Sequence, residues 1–214
     1  MPPAQEAMDQ MTRGLQKALE MAMQVDGATE RAHVDELRRN HPGETPRQLA
    51  QRLIDNTRKL ATGTGFATGL PSNPWIALPA AAVDVGVVLR LEILLAARIA
   101  LIYDPTYLDD GKPPWELLGP VLGAETIAHF VRDVALGGRS AVDSRNVRNL
   151  MTAEMISQLK HVAARFLSKR MARRGLGKMV PLLGGVVSGV WNYREVAQVG
   201  ERVLALFEGR TAQA

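Results

Sequence analysis

At 214 residues, with apolar side chains at 46% and charged ones at 22%, the chain is long and apolar enough for one sizeable core, which excludes disorder for its bulk. The absence of cysteine excludes disulfides and thiolate metal sites and points to a reducing, cytoplasmic compartment, while aromatic content of only 5% argues against a β-sandwich and for helices. The net charge of +4 is uneven: from Arg145 to Lys178 nine basic residues stand against Glu154 alone, a local +8 that leaves −4 for the rest, and such a segment attracts anionic lipid or nucleic acid.

In chain order, the N-terminus lacks a basic region followed by an apolar run and reads as having no signal peptide. Met8, Met11, Leu15, Leu19 and Met23 at three- and four-residue spacing predict a helix from Ala4 to Val25, ended by Asp26 and Gly27. A short polar helix is expected over Glu30 to Asn40, stopped by His41, Pro42 and Gly43. Thr45 is then an N-cap ahead of Pro46 at the first helical position. Leu49, Leu53, Ile54, Leu60 and Ala61 give the next helix an apolar face, and it runs into a segment punctuated by Gly63, Gly65 and Gly69. Gly65 and Gly69 fall on one helical face, where another backbone can come close. A dinucleotide-binding reading of these glycines fails because a helix, not a strand, precedes them.

No charged side chain occurs between Lys59 and Asp84. After a proline-broken link, Pro79 to Tyr103 forms an apolar segment that would span about 37 Å as a helix, long enough for a bilayer. It also holds Asp84, Arg90, Glu92 and Arg98, whose insertion costs about 10 to 14 kcal/mol, while its Val, Leu and Ile return only about 4 to 7. A core helix of a bundle is therefore expected instead of a simple span. Ala82, Gly86, Leu89, Ile93, Ala96, Ala97 and Ala100 form a line of mostly small residues for a close neighbour, and Asp84 and Arg98 share the opposite stripe, where buried ion pairs with other elements are expected.

Trp115 to Leu136 reads as a helix interrupted near Gly119 and Pro120. Ser144 to Arg174 reads as an amphipathic helix with Lys169, Arg170, Arg173 and Arg174 in its last turns, followed by Lys178. Met179 to Trp191 is a second charge-free stretch, too short to cross hydrocarbon, in which Gly185 and Gly189 repeat the four-residue spacing. A final helix is expected over Tyr193 to Glu208, capped by Gly209.

The stretch Thr64-Gly-Phe-Ala-Thr-Gly-Leu-Pro71, then Leu78-Pro-Ala-Ala-Ala-Val-Asp84, Arg90 and Ala97-Arg-Ile-Ala-Leu-Ile-Tyr103, together with Lys178-Met-Val-Pro-Leu-Leu-Gly-Gly-Val-Val-Ser-Gly-Val-Trp-Asn192, resembles the EcsC protein family. The resemblance covers about Thr62 to Phe207; where the family often has a glycine after the tyrosine, this chain has Asp104-Pro-Thr. It implies a bacterial, helical, cytoplasmic protein associated with membrane and secretion-related processes, and supplies no active site.

These readings combine into an all-α, multi-helix bundle with glycine-rich, closely packed central hairpins. The organisation expected is an N-terminal helical segment over 1–44, acting as a lid or arm, an EcsC-like helical domain over 45–209, and a tail over 210–214. The four histidines show no paired metal-ligand spacing and no nucleophile elbow or phosphate loop is present, so no catalytic residue, metal or cofactor is assigned. The favoured function is peripheral attachment at the inner face of the cell membrane. In that reading Trp75 and Trp191 border the interfacial glycine hairpins, and Lys169, Arg170, Arg173, Arg174 and Lys178 meet anionic headgroups. The alternatives are a soluble module docking an acidic protein partner and, less favoured, a nucleic-acid-binding or hydrolytic protein.

Overall fold

The computed structural model describes residues 21–68, 74–109, 117–122 and 184–211, with side-chain surroundings at 21–63, 86–109, 117, 119–121 and 189–209. Among them the regular structure is helical throughout: α1 (Gly27–Asn40), α2 (Pro46–Thr68), α3 (Pro74–Tyr103), α4 (Leu118–Leu122) and α5 (Gly184–Thr211). They pack on one another as an all-α bundle.

Local chemistry sets several boundaries. Asp26 caps α1 by accepting from the Ala28 backbone N–H at 3.1 Å and the Thr29 hydroxyl at 2.6 Å, so α1 begins at Gly27, a turn earlier than the polar stretch suggests. Gly43, with φ of 94°, takes the left-handed conformation that turns the chain toward α2. Thr45 and Gln48 form a reciprocal capping box at the start of α2: Thr45 N–H donates to Gln48 Oε1 at 2.8 Å, and Gln48 N–H donates to Thr45 Oγ1 at 3.3 Å.

Three expectations on element limits are corrected. First, α3 starts at Pro74 and carries Pro79 within its second turn, because a proline at the first helical position is itself a good start. Second, α4 runs through Gly119 and Pro120 instead of breaking there; Pro120 falls among the first four N–H positions, which have no intrahelical partner to lose. Third, the second glycine stretch and the final helix are one 28-residue helix, passing through Asn192 and continuing past Gly209 to Thr211.

The core sits where α3 passes between its neighbours. Leu89, Ile93, Ala96, Ala97 and Ala100 of the small-residue line are fully buried, and so are Val88, Leu95, Ile99 and Leu101 on other sides of the same helix. A helix apolar around most of its circumference belongs at the centre of a bundle. Helices α2 and α5 form the most extensive pair and run antiparallel: Arg47 meets Glu208 at 2.8 Å, Ile54 faces Gly200, and Asn192 Nδ2 donates to the Ala61 carbonyl at 3.2 Å. At the C-terminal ends of α3 and α5, Phe207 stacks on Tyr103 with ring centroids 6.1 Å apart and meets Tyr107 edge-on at 5.5 Å.

Residues 21–40 lie along α3, held by arginines. Arg90 donates to the carbonyls of Met21 at 2.7 Å and Gln24 at 3.0 Å. Arg98 pairs with Glu30 at 2.6 Å. Arg31 pairs with Asp109 and donates to the Pro105 carbonyl at 3.3 Å. Arg38 donates to the carbonyls of Leu101 at 3.3 Å and Ile102 at 3.0 Å, satisfying two carbonyls of the last turn of α3. The contacts pair 21–24 with 90, 30 with 98 and 38 with 101–102, so α1 runs parallel to α3.

Candidate functional site

The helix directions gather the uncharged stretches at one end of the bundle. Helix α2 ends there, α3 begins there and α5 begins there, and none of residues 60–68, 74–83 and 184–193 is charged. Ionic groups collect at the other end, where Arg47, Glu208, Arg38, Glu44, Arg52 and Asp109 lie. On α2 and α5 the uncharged end is about 13 to 15 Å long at 1.5 Å per residue, about half the ~30 Å of a hydrocarbon core.

The rim of this end carries exposed apolar side chains. Leu60, Val190 and Trp191 are 63%, 50% and 46% exposed, and because Ala61 pairs with Asn192 they stand at one level of the α2–α5 pair. Arg194, also exposed, lies three and four residues beyond Trp191 and Val190 and shares their side of α5. At the same level Arg58 lies over the Tyr193 ring at 4.6 Å and pairs with Asp55 at 3.0 Å, tying the two helices just inside the rim.

Of the residues singled out in the sequence, Trp191 is thus at the rim. Trp75 lies in the first turn of α3 and Asp84 further along it, and Gly65 and Gly185 lie within α2 and α5; the surroundings of these four are outside the described residues. Gly69, Lys169, Arg170, Arg173, Arg174 and Lys178 are outside them altogether. Gly86 is half-buried and Gly189 is buried. Arg98 pairs with Glu30 on α1, a residue whose burial sequence reading passed over because its helix looked polar and solvated.

No catalytic arrangement emerges among the described residues. They hold no group of three or more His, Asp or Glu side chains placed to bind a metal ion. A shallow cavity of about 250 Å³ is lined by Arg38, His41, Glu44, Leu49 and Ile102, but its charges are engaged with one another and with the fold. Glu44 pairs with Arg52, whose hydrogen bond holds the Glu44 carboxyl below its ordinary range, and with His41 at 3.8 Å. Arg38 is engaged at the end of α3. Glu92 is fully buried in the core of α3.

No protein-family model, curated protein or solved structure matches the chain. No helix among the described residues is long and apolar enough to cross a membrane.

Proposed function

We propose that the chain is a non-enzymatic, helical protein of the EcsC type that attaches peripherally to the inner face of a cell membrane, in processes linked to the membrane or to secretion. The observation that carries this reading is the uncharged end of the bundle, rimmed by exposed Leu60, Val190 and Trp191. Its depth suits one leaflet and falls short of a span. Tryptophan favours the boundary between headgroup and hydrocarbon, and Arg194 beside it reaches phosphate. The basic residues Lys169, Arg170, Arg173, Arg174 and Lys178 precede this end in the sequence and supply the electrostatic half of a two-signal attachment, each worth roughly 1 kcal/mol near an anionic surface.

Flotation with neutral phosphatidylcholine vesicles and with vesicles containing phosphatidylserine tests the reading. Binding is expected on the anionic vesicles, weakened both by Trp191→Ala and by glutamine at the five basic positions. Protein that stays at the bottom of the gradient with both vesicle types defeats it. Exposed Trp191 and Arg194 on one side of α5 also suit a hot spot for an acidic protein, the second reading; there the protein ignores vesicles and co-elutes with a partner.

A further inference from the structure

Helix α1 differs from the other long helices in what holds it. Its only buried residues are Glu30 and Val34, with Leu37 half-buried, whereas α2, α3 and α5 each contribute several fully buried apolar side chains to the core. Ahead of α1, Ala22 is buried and Met23 and Val25 are partly so. With so little apolar surface committed, attachment falls to the four arginines. Two of them, Arg90 and Arg38, hold by backbone carbonyls, and two, Arg98 and Arg31, hold by the carboxylates of Glu30 and Asp109.

The surface beneath is apolar. Arg98 marks the side of α3 that faces α1, and by helical spacing Val87, Leu91, Leu94 and Ile102 share that side. Val87 is already 40% exposed, Leu91 and Leu94 are half-buried, and Ile102 is buried. Elements with few buried apolar contacts open at lower free energy than the core they rest on.

We propose that residues 21–40 are a releasable strap, latched by Arg98–Glu30 and Arg31–Asp109, whose opening uncovers the apolar stripe of Leu91, Leu94 and Ile102 while α2, α3 and α5 stay folded. The latch is ionic at the middle of the strap, where Glu30 and Arg31 are adjacent, so it loosens when either acid is replaced by its amide or when salt screens the more exposed Arg31–Asp109 pair. This inference goes beyond the membrane reading and does not depend on it.

Native-state amide exchange of the full chain tests it, comparing residues 27–40 with 49–61 and 192–207. The strap is expected to exchange through openings at least about a hundredfold more frequent than those of the core. Glu30→Gln is expected to raise strap opening at least about tenfold without changing core protection. Raising salt to about 0.5 M should raise it about threefold. Because the chain has no cysteine, Leu91→Cys gives a single thiol that reports on uncovering of the stripe, and Glu30→Gln should accelerate its labelling by a similar factor. Exchange of 27–40 in step with the core, or strap exchange and Leu91→Cys labelling unmoved by Glu30→Gln, would overturn the proposal.

Discussion

Gly200 on α5 faces Ile54 on α2 so closely that a Cβ at Gly200 would stand 2.5 Å from Ile54 Cγ1 and 2.9 Å from its Cδ1. Alanine is the better helix former by about 0.8 to 1 kcal/mol, but the crowding works against it. Overpacking a tight core costs about 1 to 3 kcal/mol, so Gly200→Ala is expected to be net destabilising by up to about 2 kcal/mol in urea denaturation. Ile54→Ala alone should cost about 2 to 5 kcal/mol. The double variant should be no less stable than Ile54→Ala, because the new methyl enters the space the isoleucine leaves. Additive losses would mean that Gly200 does not set the α2–α5 distance.

Asn192, fully buried within α5, donates through Nδ2 to the Ala61 carbonyl at 3.2 Å. Asn192→Ala removes that bond and leaves space, with an expected loss of about 1 to 3 kcal/mol in the same assay. Asn192→Asp puts a carboxylate where burial and the Ala61 carbonyl both oppose charge. Its folded-state pKa rises above the unfolded value, so the folded form holds the proton longer. The variant should therefore be closest to wild type in acid and lose stability as pH rises through the unfolded carboxyl range and up to its folded pKa. A pH-independent deficit would argue against a dry α2–α5 seam at this level.

How far the fold was legible follows from which interactions are local. The central position of α3 could be read because it is apolar around most of its circumference, and the start of α2 because Thr45 and Pro46 signal it by themselves. The continuity of α5 was hidden: Asn192 looks like a terminator, and it is stabilised in mid-helix by Ala61, 131 residues away. Glu30 looked solvated for the same reason, since its counter-charge Arg98 lies on another element. The clasps of Arg38 and Arg90 left no pattern, because both are satisfied by backbone carbonyls, which every residue carries, whereas Arg98 carried one through its place on an apolar stripe. Gly200 does leave a signal, as a glycine among the apolar positions Val196, Val199 and Val203, one distinct from the four-residue glycine spacing. For the candidate site, the uncharged stretches were visible in sequence; that they share one end of the bundle depends on helix directions.

Phe207 is the keystone of the charged end, buried between Tyr103 and Tyr107. Phe207→Ala should cost about 3 to 5 kcal/mol. Tyr103→Phe keeps the ring and loses only a long hydrogen bond to Glu208 at 3.4 Å, so a change of about 0.5 kcal/mol or less is expected. Burial, and then the neighbouring Glu208 charge, push the Tyr103 hydroxyl above its ordinary value of 10.0. The folded form therefore keeps this proton when the unfolded chain has lost it, and stability falls as pH rises above about 10. Tyr103→Phe should flatten that alkaline limb in a pH series of thermal melts. An unaltered limb would place its origin elsewhere.

The acid limb should begin at the N-cap of α1 and at the turn that follows it. The Thr29 hydroxyl, followed by the Ala28 N–H, holds the Asp26 carboxyl below its ordinary 3.8, and the Arg52 hydrogen bond holds Glu44 below 4.5. Both groups bind protons less readily in the folded chain, so their stabilisation is complete above these values and is lost as pH falls through the lower folded ones. Amide exchange of residues 27–40 followed from about pH 5 to about pH 2, corrected for intrinsic rates, should therefore show α1 opening ahead of α2 and α5. Asp26→Asn keeps an N-cap acceptor without a titrating group, so it should remove the Asp26 share of the acid dependence while leaving α1 protected at pH 5. Glu44→Gln should act likewise at the turn between α1 and α2, though it also gives up the ionic part of the Arg52 contact at neutral pH. An acid limb at α1 unchanged in the double variant would show that neither carboxylate governs it.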